Sequence, residues 1–206
     1  QNIAKTERDG VEIIHQCGSH LLTLINDILD LSKIEARKLE LHFSDIDFSA
    51  FLIAVAEICR IRAEQKGIEF NLQADSQLPS TVITDEKRLR QILINLLGNA
   101  IKFTQEGGVT FSIRLIESNQ LDIDKESCKI RFEIIDSGVG MTPEQLNKIF
   151  LPFEQAGDKN KQTEGTGLGL TISRKIAELM GSGIQVESNF GSGSKFWFDA
   201  DLKVSK

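Results

Sequence analysis

The sequence predicts an α+β protein: a mixed sheet with helices packed on one face, preceded by a long N-terminal helix. Three observations lead there. Apolar residues recur at intervals of three, four and seven through residues 1–40, with no proline to interrupt them. Beyond residue 40, segments of alternating apolar and polar residues are interleaved with segments of helical period. One of those helical segments, following Asp85, carries its apolar residues on a single side, as a helix laid on a sheet requires.

The N-terminal stripe comprises Ile13, Ile14, Cys17, Leu21, Leu24, Ile25, Ile28, Leu29, Leu31 and Ile34, weakened early by Gly10 and Gly18. A lone helix with so wide a stripe is unstable in water, and nothing else in the chain obviously pairs with it. A partner helix or a second copy of the chain is therefore expected. Leu41 to Phe48 alternates and reads as a short strand. Ser49 to Lys66 returns to helical period, with Gly67 as its C-cap. Ile68 to Ala74 alternates again, and Pro79 lies in a loop. Asp85 caps a strong helix that runs to about Phe103. Two long strands follow, Gly108–Glu117 and Cys128–Asp136, joined by a polar loop from Ser118 to Ser127. Pro143 opens a short helix ending near Phe150. Residues 154–166 are polar and glycine-bearing without period and read as a mobile loop. A helix over Gly167–Met180 and a hairpin of Gly183–Asn189 with Ser194–Leu202 complete the chain. The organisation is a partial helical domain over 1–40 and an α+β domain over 41–206.

The 206 residues carry a net charge of −6, which argues against a general nucleic-acid or anionic-membrane binder. No stretch approaches the roughly 18–20 apolar residues of a membrane span, and the N-terminus has no apolar run with a cleavage site. Cys17, Cys59 and Cys128 are odd in number and form no CxxC pair. They read as reduced thiols in a cytoplasmic compartment, an expectation that leaves room for a membrane sensor in a longer parent protein.

Four short segments carry the chemistry. In Asn95-Leu-Leu-Gly-Asn99-Ala-Ile-Lys102-Phe103, the apolar stripe is Leu89, Ile92, Leu93, Leu96, Leu97, Ala100 and Ile101, while Asn95, Asn99 and Lys102 fall at i, i+4 and i+7 on another face. A neutral amide oxygen suits Mg²⁺, a lysine one turn on meets a phosphate as a point charge, and Phe103 offers a ring to a base. In Asp136-Ser-Gly138-Val-Gly140, a carboxylate at a strand end suits the exocyclic amino group of adenine, and the glycines let a flat ring approach the backbone. The third segment is Phe150-Leu-Pro-Phe153. In Gly165-Thr166-Gly167-Leu168-Gly169, backbone N–H groups ahead of a helix suit phosphate oxygens, Thr166 adds a hydroxyl, and the preceding loop with Lys159 and Lys161 reads as a lid. Each segment alone has an ordinary reading: solvated asparagines, an Asx turn, a flexible glycine cap. Their order together names ATP and Mg²⁺.

These segments resemble, in order, the N box, first glycine box, F box and second glycine box of two-component sensor histidine kinases, in the Bergerat-fold superfamily. His20-Leu-Leu-Thr-Leu-Ile-Asn-Asp27-Ile-Leu-Asp30-Leu-Ser-Lys-Ile-Glu-Ala36 is similar to the second helix of their dimerisation and phosphoacceptor domain, and Phe-Leu-Pro-Phe-Glu-Gln looks most like the hybrid type. The resemblance covers essentially the whole chain. It implies that Asn99 with Asn95 coordinates Mg²⁺, that Lys102 meets phosphate, that Phe103 and Phe153 line the adenine site, and that Asp136 binds the adenine amino group. It implies that Gly138, Gly140, Gly165, Thr166, Gly167, Leu168 and Gly169 cradle the nucleotide. The implied partners are a response regulator or receiver domain, a phosphoacceptor histidine helix, and a second copy in a homodimer. Glu164 stands where many relatives have glycine.

One departure is large. The acceptor segment of the family, of the His-Glu-Leu-Arg-Thr-Pro kind, does not occur, and His15, His20 and His42 lack its context. The acceptor is therefore expected outside this sequence. Hydrolases of the superfamily carry a water-activating glutamate one turn before the metal-binding asparagine. Asn95 stands there and cannot act as a base, which favours transfer to an acceptor over hydrolysis. A nucleotide-holding scaffold without catalysis, and a Bergerat-fold ATPase, are the alternative readings.

Overall fold

The computed structural model describes residues 2–119, 127–154 and 165–205. Helix α1 (Asn2–Glu35) leads into β1 (Ser44–Asp47), α2 (Phe48–Lys66), β2 (Glu69–Ala74), β3 (Thr81–Thr84) and α3 (Glu86–Phe103). There follow β4 (Gly108–Asn119), β5 (Ser127–Asp136), α4 (Pro143–Leu146), α5 (Gly169–Leu179), β6 (Gln185–Ser188) and β7 (Ser194–Val204). The strands form one sheet in the order β1-β3-β7-β5-β4-β2, with β6 also paired to β7. The β2–β4 pair is parallel and the others are antiparallel, so the sheet is mixed as expected.

Alternation decides which side of the sheet meets the helices. Cys128, Ile130, Phe132 and Ile134 of β5 are buried, as are Phe196, Phe198, Ala200 and Leu202 of β7. The residues between them, Lys129, Arg131, Asp199 and Asp201 among them, face outward, where the Arg131 guanidinium meets both oxygens of Asp199 at 2.7 and 2.8 Å. On the inner side, Phe132 stacks on Phe198 with ring centres 5.0 Å apart and meets Phe48 edge-on at 6.2 Å. Each such buried ring contributes about 1.5–3 kcal/mol. All seven stripe residues of α3 are buried against this layer.

Caps fix the helix starts. The Asp47 carboxylate accepts from the Ala50 amide, and the Asp85 carboxylate from the Arg88 amide. Thr142 and Gln145 close a reciprocal capping box around α4, which is a single turn and stops short of Phe150. Helix α5 starts at Gly169 rather than Gly167, because Gly167 sits at φ +71°, outside helical space.

Two expectations change. Strand β3 is absent from the sequence reading. Its four residues gain their identity from partners far away in the chain: Val82 pairs with Ile46 on one side and with Val204 on the other. Helix α1 also has partners within the chain, since Leu31 and Ile34 pack on the core and its last turns touch α3 and α5. Ile14, Leu21, Leu22, Ile25, Ile28 and Leu29 stay exposed, from 46% at Ile25 to 73% at Ile14. The loops expected over Ser118–Ser127 and 154–166, with Lys159, Lys161 and Glu164, lie mostly outside the described residues.

Candidate functional site

The site is built where the C-terminal half of α3 meets the end of β5 and the start of α5. Its first part is an aspartate at a strand end. Asp136 has the parity of Ile130, Phe132 and Ile134, so its side chain turns toward the helices and is 7% exposed. Its Oδ1 accepts the Gly138 amide at 2.8 Å, an Asx turn that folds the chain back over the carboxylate. Burial pushes the Asp136 carboxyl above its usual value, while the backbone donors of Gly138 and Ser194 pull against that shift. A buried carboxylate held by backbone donors is an acceptor waiting for a further N–H.

The glycines beside it allow close approach of backbone. A Cβ at Gly138 would stand 2.5 Å from the Phe103 carbonyl oxygen, and one at Gly140 would collide with the Asn189 carbonyl. Gly140 also sits at φ +64°, which a side chain would strain. Their bare faces are taken by protein backbone. They let the Asp136 loop lie directly on the end of α3 and on the β6–β7 turn, so they build the floor of the site.

The second part is the polar face of α3. Asn95 and Asn99 are half-buried. The Asn95 amide nitrogen donates to Ser173 Oγ of α5 at 2.9 Å. The Asn99 side chain makes no hydrogen bond among the described residues. Lys102 Nζ lies 4.9 Å from the centre of the Phe103 ring. The α3 C-terminus is capped by Lys66, whose ammonium donates to the carbonyls of Ile101 and Lys102.

The third part is the glycine segment, which runs antiparallel to α3. A Cβ at Gly165 would stand 3.2 Å from Lys102 Nζ, and one at Gly169 would collide with Asn95 Oδ1. Asn99 lies on α3 between those two contacts. Leu168 is fully buried, so its side chain anchors the segment in the core. Thr166 Oγ1 accepts the Leu168 amide at 3.1 Å and donates to Asp27 Oδ2 of α1 at 2.8 Å. Phe153 donates its amide to the Gly167 carbonyl at 3.0 Å, and its ring is 65% exposed. Its described role is a backbone tie between two motifs.

The sequence reading missed Ser173, Asp27 and Gly193, whose added Cβ would collide with the Asp136 carbonyl. A serine inside a helix and an aspartate on an amphipathic one carry little signal. The turn at Gly193 was visible, but its contact with Asp136 was not.

The residues present fit a magnesium–adenine nucleotide. A buried acceptor stands at one end, an uncommitted half-buried amide and a lysine in the middle, and a glycine segment leading into a helix N-terminus at the other.

The chain is 42% identical over 188 residues to the aerobic respiration control sensor protein ArcB of Escherichia coli (strain K12), a match covering 90% of this chain and 23% of that protein. It is 39% identical over 194 residues to hybrid signal transduction histidine kinase B of Dictyostelium discoideum, covering 94% and 10%. It is 36% identical over 204 residues to the signal transduction histidine-protein kinase BarA of Escherichia coli (strain K12), covering 98% and 22%. The chain thus spans less than a quarter of the length of these relatives. Among solved structures, full-length ShkA in complex with AMPPNP matches with a TM-score of 0.77 at 36% identity, over 96% of this chain and 39% of that one. The catalytic domain of histidine kinase ThkA matches at 0.60 and 29% identity, over 78% and 96%. Residues 84–204 match the family described as histidine kinase-, DNA gyrase B-, and HSP90-like ATPase, and the chain belongs to that family.

Proposed function

We propose that this chain positions Mg²⁺·ATP and moves its γ-phosphoryl to a histidine imidazole on another helix, from which it passes to a receiver-domain aspartate. The observation that carries this reading is the alignment of Asn95, Asn99 and Lys102 along one face of α3, opposite the antiparallel glycine segment. Phosphoryl transfer needs in-line positioning and neutralised charge more than covalent help from the protein.

Each residue then has a role. Asp136 accepts the adenine amino hydrogen, which selects adenine over guanine, whose six-position is a carbonyl. Asn99, with its uncommitted amide, is the principal metal ligand, and Asn95 stands beside it. Lys102 meets phosphate. Phe103 and Phe153 border the base, and Gly165, Gly167 and Gly169 offer backbone donors to phosphate oxygens, with Thr166 exchanging its hydrogen bond to Asp27 for one to phosphate when the nucleotide binds. When bound, the metal neutralises charge on the phosphates. Asn95 offers no base to a water, so the acceptor must bring its own nucleophile. This favours kinase over hydrolase.

The chain divides at residue 40 into the second helix of a dimerisation domain and a catalytic domain over 41–206. The exposed stripe of α1 covers a first helix bearing the acceptor histidine and a second copy of the chain, as in a four-helix dimer bundle. The domain works on the cytoplasmic side, docking a receiver domain. No described helix is long and apolar enough to cross a membrane.

The test mixes the chain with γ-labelled ATP, Mg²⁺ and a separately supplied helix bearing the acceptor histidine, after their association has been verified. Acid-labile, base-stable label on that helix is the expected result. Free phosphate without protein label overturns the assignment in favour of a hydrolase. Bound nucleotide with no turnover overturns it in favour of a scaffold.

A further inference from the structure

Ser173 is 1% exposed and lies on the inward face of α5 with Thr171, Ile172, Ile176 and Ala177. A hydroxyl buried among such neighbours costs stability unless it is bonded. Its Oγ accepts the Asn95 amide nitrogen at 2.9 Å, across 78 residues of sequence. Gly169 stands one helical turn before Ser173, so the two share a face. The space a side chain would fill at Gly169 is occupied by Asn95 Oδ1.

The two contacts grip opposite ends of one amide. Ser173 takes its nitrogen, and Gly169 makes room for its oxygen. Together they hold the Asn95 side chain in one rotamer, its nitrogen on Ser173 and its oxygen against Gly169. An asparagine without such a clamp presents oxygen and nitrogen with little preference. With the clamp, the oxygen faces the first residue of α5, where the glycine segment ends.

We propose that Ser173 is a positioning residue for the nucleotide site: with Gly169 it orients the Asn95 carbonyl oxygen and keeps the polar face of α3 in register with the glycine segment for a metal-bound nucleotide. This rests on the function proposed above. Ser173 touches neither metal nor phosphate. It acts through Asn95, as outer-shell partners of metal ligands do, and loss of such partners typically weakens metal affinity about 10- to 100-fold.

The test measures ATP affinity with and without Mg²⁺ by displacement of a fluorescent ATP analogue, in wild type, Ser173→Ala and Ser173→Thr. The ratio of the two affinities reports the metal's contribution. In Ser173→Ala this ratio is expected to fall about 10-fold, with metal-free affinity within about twofold of wild type. Ser173→Thr keeps the hydroxyl and is expected to restore the ratio. Equal weakening with and without metal marks a merely structural residue and overturns the proposal. So does an unchanged ratio in Ser173→Ala, or loss of folding in both variants. A wild-type chain that binds no ATP removes the underlying functional reading instead, so the two failures are distinguishable.

Discussion

The two ends of α3 use polar residues in opposite ways. At the N-terminal end Asp85, Arg88 and Gln91 are each spent on another protein group. Asp85 accepts the amides of Arg88 and His42. Arg88 donates to Asp30 of α1 at 3.0 Å and to Gln91, and Gln91 donates to the same Asp30 oxygen at 2.9 Å. At the C-terminal end, Asn99 is half-buried with no hydrogen bond among the described residues, and the nearby Asp136 is buried with backbone donors alone. A saturated polar cluster holds elements together. A half-buried polar group with no protein partner is free to bond a ligand in place of water. One helix thereby fastens α1 at its start and offers a binding face at its end.

The largest expected effect tests the binding end. With one side-chain oxygen kept by the Gly138 amide, Asp136→Asn sets an amide donor where a carboxylate oxygen faced the adenine amino group, and is expected to weaken ATP binding about 10- to 100-fold, read by analogue displacement. Its stability should move the other way. Because burial raises the folded carboxyl, the unfolded chain loses its proton first as pH rises above about 3.9, and the wild type loses stability until the folded group has also ionised. Asp136→Asn escapes that loss and should melt at or above the wild-type temperature at neutral pH, with the gap closing under acid. A variant that binds normally removes the adenine role. Asn99→Ala follows, with an expected loss of about 10-fold or more in Mg²⁺-dependent affinity and no drop in melting temperature. A marked drop would mean that Asn99 is structural and would erase the contrast.

Legibility in the sequence follows the same division. The core was readable wherever periodicity was local: the seven stripe residues of α3, the alternation of β5, and the cap at Asp85. The identities of the site residues were readable because their types and order are unusual. What escaped depends on distant partners. Strand β3, Thr81-Val-Ile-Thr84, is β-branched throughout but too short to show a period of its own, and β1 and β7 flank it from far along the chain. Asp27 and Asp30 look like the solvated side of an amphipathic helix, yet they bond Thr166 and Arg88 across 139 and 58 residues. The first-box glycines were legible as a need for bare backbone, but not the backbone atoms that lie against them, because a missing side chain does not announce what fills its place.

At the fastening end, Arg88→Ala strands Asp30 and Gln91 in partly buried surroundings, with the Arg88 and Asp30 side chains 11% and 20% exposed. The expected cost is about 1–2 kcal/mol, a fall of about 2–8 °C in melting temperature by calorimetry. ATP affinity of the folded chain should be unchanged. A binding defect as large as that of Asn99→Ala would show that the two ends are not separable.

The smallest effect concerns pH. Burial alone would raise the Asp30 carboxyl, but hydrogen bonds from Gln91 and Arg88 and the charges of Arg88 and Lys87 outweigh it and hold it below its usual value. A depressed carboxylate contributes stability that is fully present above the unfolded value of about 3.9 and is lost as pH falls through the folded value. Asp27, one turn earlier, behaves oppositely: burial raises it, and the charge of Asp30 raises it further, against the hydrogen bond from Thr166. On acidification Asp27 therefore takes its proton first, while the Asp30 clasp persists. The melting-temperature difference between wild type and Arg88→Ala should stay level from neutral pH to about pH 4 and narrow below it, and Asp30→Asn should abolish that narrowing. A gap that closes already between pH 6 and pH 5 would place the controlling proton elsewhere and remove Asp30 from the centre of the fastening cluster.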